Sequence, residues 1–215
     1  MSTINSRSRP MAALVAAVGW FALLLQLYLS LRFALANGET PAQGLVSYFG
    51  YFTVLTNLLV SLATTLPLLA PSSAPGRFFA GSMAIGWVAA SIAFVGVAYY
   101  VLLRHVWQPQ GLQLVADVLL HYATPILFVV YSLIVLRGLA LRWTAPLWWS
   151  IYPMLYFAYA LLRGALIGRY PYAFIDVTML GYATTLRNAC LLLVAFLMLA
   201  YLLILVWRRG LGRGS

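Results

Sequence analysis

Six stretches of the chain are apolar on every side, near residues 11–36, 45–70, 79–103, 113–136, 146–167 and 185–207, and each is bounded by polar residues or by Pro and Gly. A helix rises about 1.5 Å per residue, so about 20 apolar residues cross a hydrocarbon layer. All six runs meet that length. They predict an all-α polytopic membrane protein, a six-transmembrane-helix bundle, with residues 1–215 forming one membrane domain. The clusters Asn37-Gly38-Glu39-Thr40-Pro41, Pro71-Ser72-Ser73-Ala74-Pro75-Gly76-Arg77 and Gln108-Pro109-Gln110-Gly111 are chain breakers that predict turns outside the hydrocarbon. The first run also has features of a signal peptide, with Ala34-Leu35-Ala36 at its end. It is longer than the roughly 7 to 15 residues of a signal core, which favours a retained helix.

Composition strengthens this reading. Of 215 residues, 64% are hydrophobic and 7% charged, against about 25% charged in a soluble domain. The formal charge of +10 comes from arginine without lysine, opposed only by Glu39, Asp117 and Asp176. These arginines stand singly or in pairs at the ends of apolar runs. That placement suits topology signals among membrane lipids, and no nucleic-acid partner is expected. Arg7, Arg9, Arg77, Arg137, Arg142, Arg208, Arg209 and Arg213 fall on the side of the termini, against Arg32, Arg104, Arg163, Arg169 and Arg187 on the other. The positive-inside bias therefore predicts both termini in the cytoplasm. Cys190, the single cysteine, has no partner for an intramolecular disulfide. The tryptophans and tyrosines near run ends, among them Trp143, Trp148, Trp149, Tyr152 and Trp207, predict interfacial belts, and Tyr99 and Tyr100 are read the same way.

Polar groups inside spanning segments are the candidates for function, because an ionisable side chain at mid-helix costs about 2.5 to 3.5 kcal/mol even on lenient scales. Three groups qualify. In the second run, Thr53 and Asn57 are four apart and share a helix face, with Thr56 on a neighbouring face. In the fourth, Asp117 and His121 are four apart, so the carboxylate can orient the imidazole, and Pro125 predicts a kink one turn on. The third is the stretch from Arg163 to Asp176, broken by glycine, rich in aromatics and carrying both signs of charge. It predicts a structured cap with an Arg–Asp pair. Counting from Leu45 and Gln113, Thr53 and His121 each lie eight residues, or about 12 Å, below one face of the membrane, where they can meet. Structural readings stand beside these: a membrane threonine often bonds its own backbone, and Gly164 with Gly168 suits close helix packing.

These residues together resemble the androgen-induced family of six-span membrane proteins, and its bacterial members in particular. The resemblance runs through Tyr51-Phe52-Thr53, Thr56-Asn57, Asp117 with His121 and Pro125, Tyr152-Pro153, and the stretch from Arg163-Gly164 to Tyr170-Pro171-Tyr172. Animal members are intramembrane threonine hydrolases of fatty acid esters of hydroxy fatty acids. The resemblance implies His121 as the base and either Thr53 or Thr56 as the nucleophile. The animal pattern sets the threonine three residues before an acid, whereas here Thr53 is four before Asn57 and Thr56 immediately precedes it. Thr53 is preferred.

The expected function is intramembrane hydrolysis of lipid esters in a bacterial plasma membrane. Asp117 would orient His121, and Asn57, Arg163, Tyr172 and Asp176 would contact substrate, with Asn57 or Arg163 donating to an oxyanion. The alternative is a non-enzymatic protein that binds a lipid or transports a small solute. No metal or other cofactor is expected, because His105 and His121 lie at different depths and neither H-x3-H nor HExxH spacing occurs.

Overall fold

The structure, a computed structural model, describes residues 8–209. Arg7 and Arg213 lie outside them. In chain order the helices are α1 (Arg9–Ala36), α2 (Pro41–Tyr48), α3 (Phe52–Leu69), α4 (Ala74–Phe79), α5 (Ser82–Leu103), α6 (Leu112–Leu136), α7 (Ala145–Ile167) and α8 (Val177–Arg208). Six of them, all but α2 and α4, are long and apolar enough to cross a membrane. No strand occurs among the described residues. The chain is an all-α integral membrane protein, as its hydrophobic pattern predicts.

The run expected over 45–70 is not one helix. Its first part belongs to α2, which begins with a Thr40–Gln43 capping box and Pro41 in the first turn. Residues 49–51 then interrupt the helix, and α3 starts afresh at Phe52 with Tyr51 in extended geometry before it. α2 runs beside the C-terminal half of α1: Gly44 lies against Leu31 and Ala34, and the Tyr48 hydroxyl donates to the Leu23 carbonyl at 2.9 Å, midway along α1. The break therefore sits at the depth of the spans. Backbone groups there must find protein partners, because lipid offers none.

α7 supplies those partners. The Tyr156 hydroxyl donates to the Gly50 carbonyl at 2.9 Å, the Tyr159 hydroxyl to the Phe49 carbonyl at 3.3 Å, and Arg163 to the Val46 carbonyl at 3.2 Å. Gly50 is needed for this approach, since a Cβ there would come within 2.8 Å of the Arg163 guanidinium carbon.

α1 packs closely on α3, where Gly19 admits Ser61 and the Trp20 indole donates to Thr65 at 3.0 Å. α3 and α5 are the most enclosed spans, and α5 is in contact with α3, α6 and α8. α7 stands further off, and its aromatic side chains bridge the gap: Tyr152 and Tyr156 meet the Phe52 ring at 5.0 and 4.9 Å between centroids. Trp149 and Trp207 are buried and packed edge to face at 6.3 Å, so they belong to the core at the end of the bundle near the termini rather than to an interfacial belt. Trp143 and Trp148 are exposed.

Gly86 faces Trp149, and a Cβ there would stand 2.7 Å from its ring. Overpacking a dense core costs about 1 to 3 kcal/mol. Gly86→Ala is expected to lower the apparent melting temperature of the purified protein in detergent; an unchanged value would show that this contact yields freely.

Candidate functional site

Thr53 and His121 meet. The Thr53 hydroxyl lies 3.3 Å from His121 Nε2. On the other side of the ring, Nδ1 is 3.1 Å from Asp117 Oδ1 and 3.1 Å from the Asp117 backbone carbonyl. Both of those partners are acceptors when the acid is ionised, so the network assigns the ring proton to Nδ1. Nε2 then carries its lone pair toward Thr53 and accepts the hydroxyl proton. The second carboxylate oxygen accepts the Tyr99 hydroxyl at 2.6 Å, and the Tyr99 ring stacks on His121 with centroids 3.9 Å apart and planes 15° from parallel. Thr53, Asp117 and Tyr99 are all buried.

Local helix geometry sets this meeting. Leu119–Ala123 and Tyr99–Leu103 are both π-turns, the first holding His121 and the second beginning at Tyr99. Pro125 has no amide for the His121 carbonyl, which would be its α-helical acceptor, and the wider turn falls where that bond is missing. Gly96 lets α5 approach closely at this level, since a Cβ would lie 3.3 Å from both the His121 carbonyl and Pro125. The depth of Thr53 has a different origin from the one expected. It is the second residue of α3, and the break after α2 places it rather than a count from Leu45.

An apolar cavity of about 290 Å³ adjoins Thr53. Phe52, Thr53, Tyr99 and Tyr172 line its polar end, whereas Met154 and Phe157 of α7 and Leu186, Cys190 and Leu193 of α8 line the rest. Met154, Leu186 and Cys190 are exposed along spanning helices, so the cavity opens sideways between α7 and α8. The segment joining those helices caps it: Tyr172 stacks on Phe174 at 5.0 Å, and Asn188 donates to the Phe174 carbonyl at 2.9 Å. Burial pushes the Tyr172 phenol above its ordinary value, while the Thr53 hydroxyl and the backbone amides of Thr53 and Phe52 act in the opposite direction. Tyr172 is therefore a neutral hydroxyl against the start of α3. The first amides of α3 have no acceptor within the helix and no side-chain cap.

The other expected site residues are placed elsewhere. The Thr56 hydroxyl pairs with Tyr152 at 3.0 Å and not with His121. Asn57 donates its amide to the Thr53 and Leu120 carbonyls at 2.8 and 3.2 Å, so its N–H groups tie α3 to the π-turn and are spent before any oxyanion arrives. Arg163 is committed likewise, to the carbonyls of Val46 and Arg169. No Arg–Asp pair forms in the cap: Arg169 reaches Glu39, and Asp176 is the N-cap of α8, accepting from Thr178 and Met179. Gly164 makes room for the Tyr170 ring rather than for a helix, and Gly168 ends α7 in left-handed geometry.

No known family, characterised protein or solved structure matches the chain. Tyr99 is the member that sequence reasoning missed, because a tyrosine at the end of an apolar run reads as interfacial; only its spacing, one helix away from an intramembrane acid, hints otherwise. No cluster of three metal-ligating side chains occurs among the described residues.

The Thr178 hydroxyl and the amides of Thr178 and Met179 hold the Asp176 carboxyl below its ordinary value. A carboxyl depressed in the folded protein contributes stability above its unfolded value and loses it as pH falls through the folded one. Asp176→Ala is expected to melt lower than the parent at neutral pH. That difference should shrink as the pH is taken below the carboxylate range, and a difference independent of pH would contradict the assigned capping charge.

Proposed function

We propose that this protein hydrolyses lipid esters within the membrane, with Thr53 as nucleophile and His121 as base. The observation that carries the reading is the hydrogen-bonded chain Thr53–His121–Asp117 ending on an apolar cavity open to the bilayer. A threonine hydroxyl is a weak nucleophile until a neighbouring base takes its proton, and the Nδ1–H tautomer leaves Nε2 free for that task. Thr53 Oγ1 attacks the ester carbonyl carbon while His121 accepts the proton. The carbonyl oxygen becomes an oxyanion, for which the Tyr172 hydroxyl, itself held by the first amides of α3, is the available donor. Collapse expels the alcohol, which takes the proton from His121, and leaves an acyl ester on Thr53. Water deprotonated by His121 then releases the carboxylic acid and restores the threonine.

A cavity with almost no polar lining suits an acyl chain better than a soluble ester, and its sideways opening suits a substrate that diffuses in the bilayer. This is also the chemistry implied by the resemblance to the androgen-induced family. We place the protein in a bacterial plasma membrane with both termini in the cytoplasm, in keeping with the arginine bias. The site then lies toward the outer leaflet.

The same cavity supports a second reading, a lipid-binding protein that leaves its ligand unchanged. Purified protein given a fluorophosphonate probe and a series of long-chain esters separates the two. Thr53→Ala and His121→Ala are each expected to lose labelling and to reduce kcat about a thousandfold or more, the scale on which removing a nucleophile or its base acts in related triads. Thr56→Val removes a hydroxyl that pairs with Tyr152 and not with His121, so it should lower stability while kcat stays within about threefold. Saturable lipid binding with no turnover by the parent protein would favour the second reading.

A further inference from the structure

We infer that Tyr99 is a positioning residue of this site, acting on His121 through two separate contacts. The inference rests on the hydrolase reading for its kinetic arm, and on geometry alone for its spectroscopic arm. Tyr99 is 5% exposed, lines the cavity, and begins the π-turn that ends α5. Its hydroxyl donates to Asp117 Oδ2 at 2.6 Å while His121 Nδ1 holds Oδ1 at 3.1 Å, so the two carboxylate oxygens are divided between the phenol and the imidazole. That division fixes the rotation of the carboxylate about its own axis. A carboxylate held at one oxygen only would be free to swing both oxygens toward His121 or away from it.

The second contact is the ring itself. Lying 3.9 Å from the imidazole and nearly parallel to it, the phenol closes one face of His121 and limits tilting of the ring about its χ2 torsion. Tyr122 packs edge to face with Tyr99 at 5.5 Å. Together the contacts restrict the direction of the Nε2 lone pair, and the direction of that lone pair decides whether the Thr53 proton can be taken at 3.3 Å. The π-turn is what makes both contacts available to one residue. It offers a hydroxyl to α6 one turn before His121 and a ring face at the level of His121.

The test separates the two contacts and distinguishes them from a merely structural role. Tyr99→Phe keeps the ring and removes the hydroxyl; Tyr99→Leu removes both. Steady-state hydrolysis of a chromogenic medium-chain ester is measured for the parent, Tyr99→Phe, Tyr99→Leu, Asp117→Asn and the Tyr99→Phe/Asp117→Asn double variant in nanodiscs. A hydrogen bond to a charged group corresponds to roughly 10- to 100-fold in rate, so Tyr99→Phe should lose about that much kcat with KM little changed. Tyr99→Leu should lose more. In the Asp117→Asn background, Tyr99→Phe should cost less than about twofold, because a residue acting through Asp117 has nothing left to act on. Equal losses in both backgrounds would overturn the proposal.

The second arm needs no activity. Proteins labelled with ¹⁵N-histidine, with His105→Gln used to assign the remaining ring, report the His121 tautomer directly. The parent should show the Nδ1–H form, and Tyr99→Phe a mixture of tautomers; an identical spectrum in both would overturn the positioning role. If the parent turns over no ester, the hydrolase reading fails while the spectra still decide the role of Tyr99.

Discussion

The backbone groups released where α2 gives way to α3 must be satisfied inside the bilayer, and the arrangement of the protein around Thr53 depends on how that is done. A helix interrupted at membrane depth leaves carbonyls without donors on one side and amides without acceptors on the other. Here the two sets are treated differently. The carbonyls of Val46, Phe49 and Gly50 are met by Arg163, Tyr159 and Tyr156 of α7. The amides at the start of α3 face the Tyr172 hydroxyl and the polar end of the cavity. The break thus has its carbonyls closed by α7 and its first amides turned to a single phenol at the edge of the cavity.

The same requirement explains why α7 is set apart. Its long polar side chains, rather than close backbone packing, reach the break, and the space left between α5, α7 and α8 is the cavity. Arg163 thereby changes meaning. An intramembrane arginine invites a role with an anionic ligand, yet its Nη groups are spent on main-chain carbonyls of the break and of the cap. It holds the wall of the site in place. Asn57 does the equivalent work across α3 and α6, joining the Thr53 carbonyl to that of Leu120 so that the threonine and the histidine share one rigid support.

Asp117 in turn depends on neighbours from two spans. A carboxylate in a bilayer is costly unless its oxygens are occupied, and here Tyr99 from α5 takes one and His121 from its own helix takes the other. The two π-turns make this possible by widening α5 and α6 at matching levels, with Gly96 allowing the helices to close on each other. Strain or loosening in either turn would therefore be felt at Thr53, although neither turn touches it through the backbone.

The sequence by itself determined the number of spans, their all-α character and the residues most out of place in lipid, because hydrophobic length and the cost of a buried charge are properties of a segment and need no partner. Spacing of four placed Asp117 with His121 on one face for the same reason. What only the tertiary structure decided was which of two threonines meets the histidine, that Tyr99 is buried against Asp117 rather than lying at an interface, and that the Asn57 amide nitrogen, the Arg163 Nη groups and the Asp176 carboxylate bind backbone partners. Each of these depends on groups distant in the chain. Thr53 and His121 are 68 residues apart, and hydropathy is blind to an interruption of three residues such as 49–51, where no charged side chain marks the break in the helix.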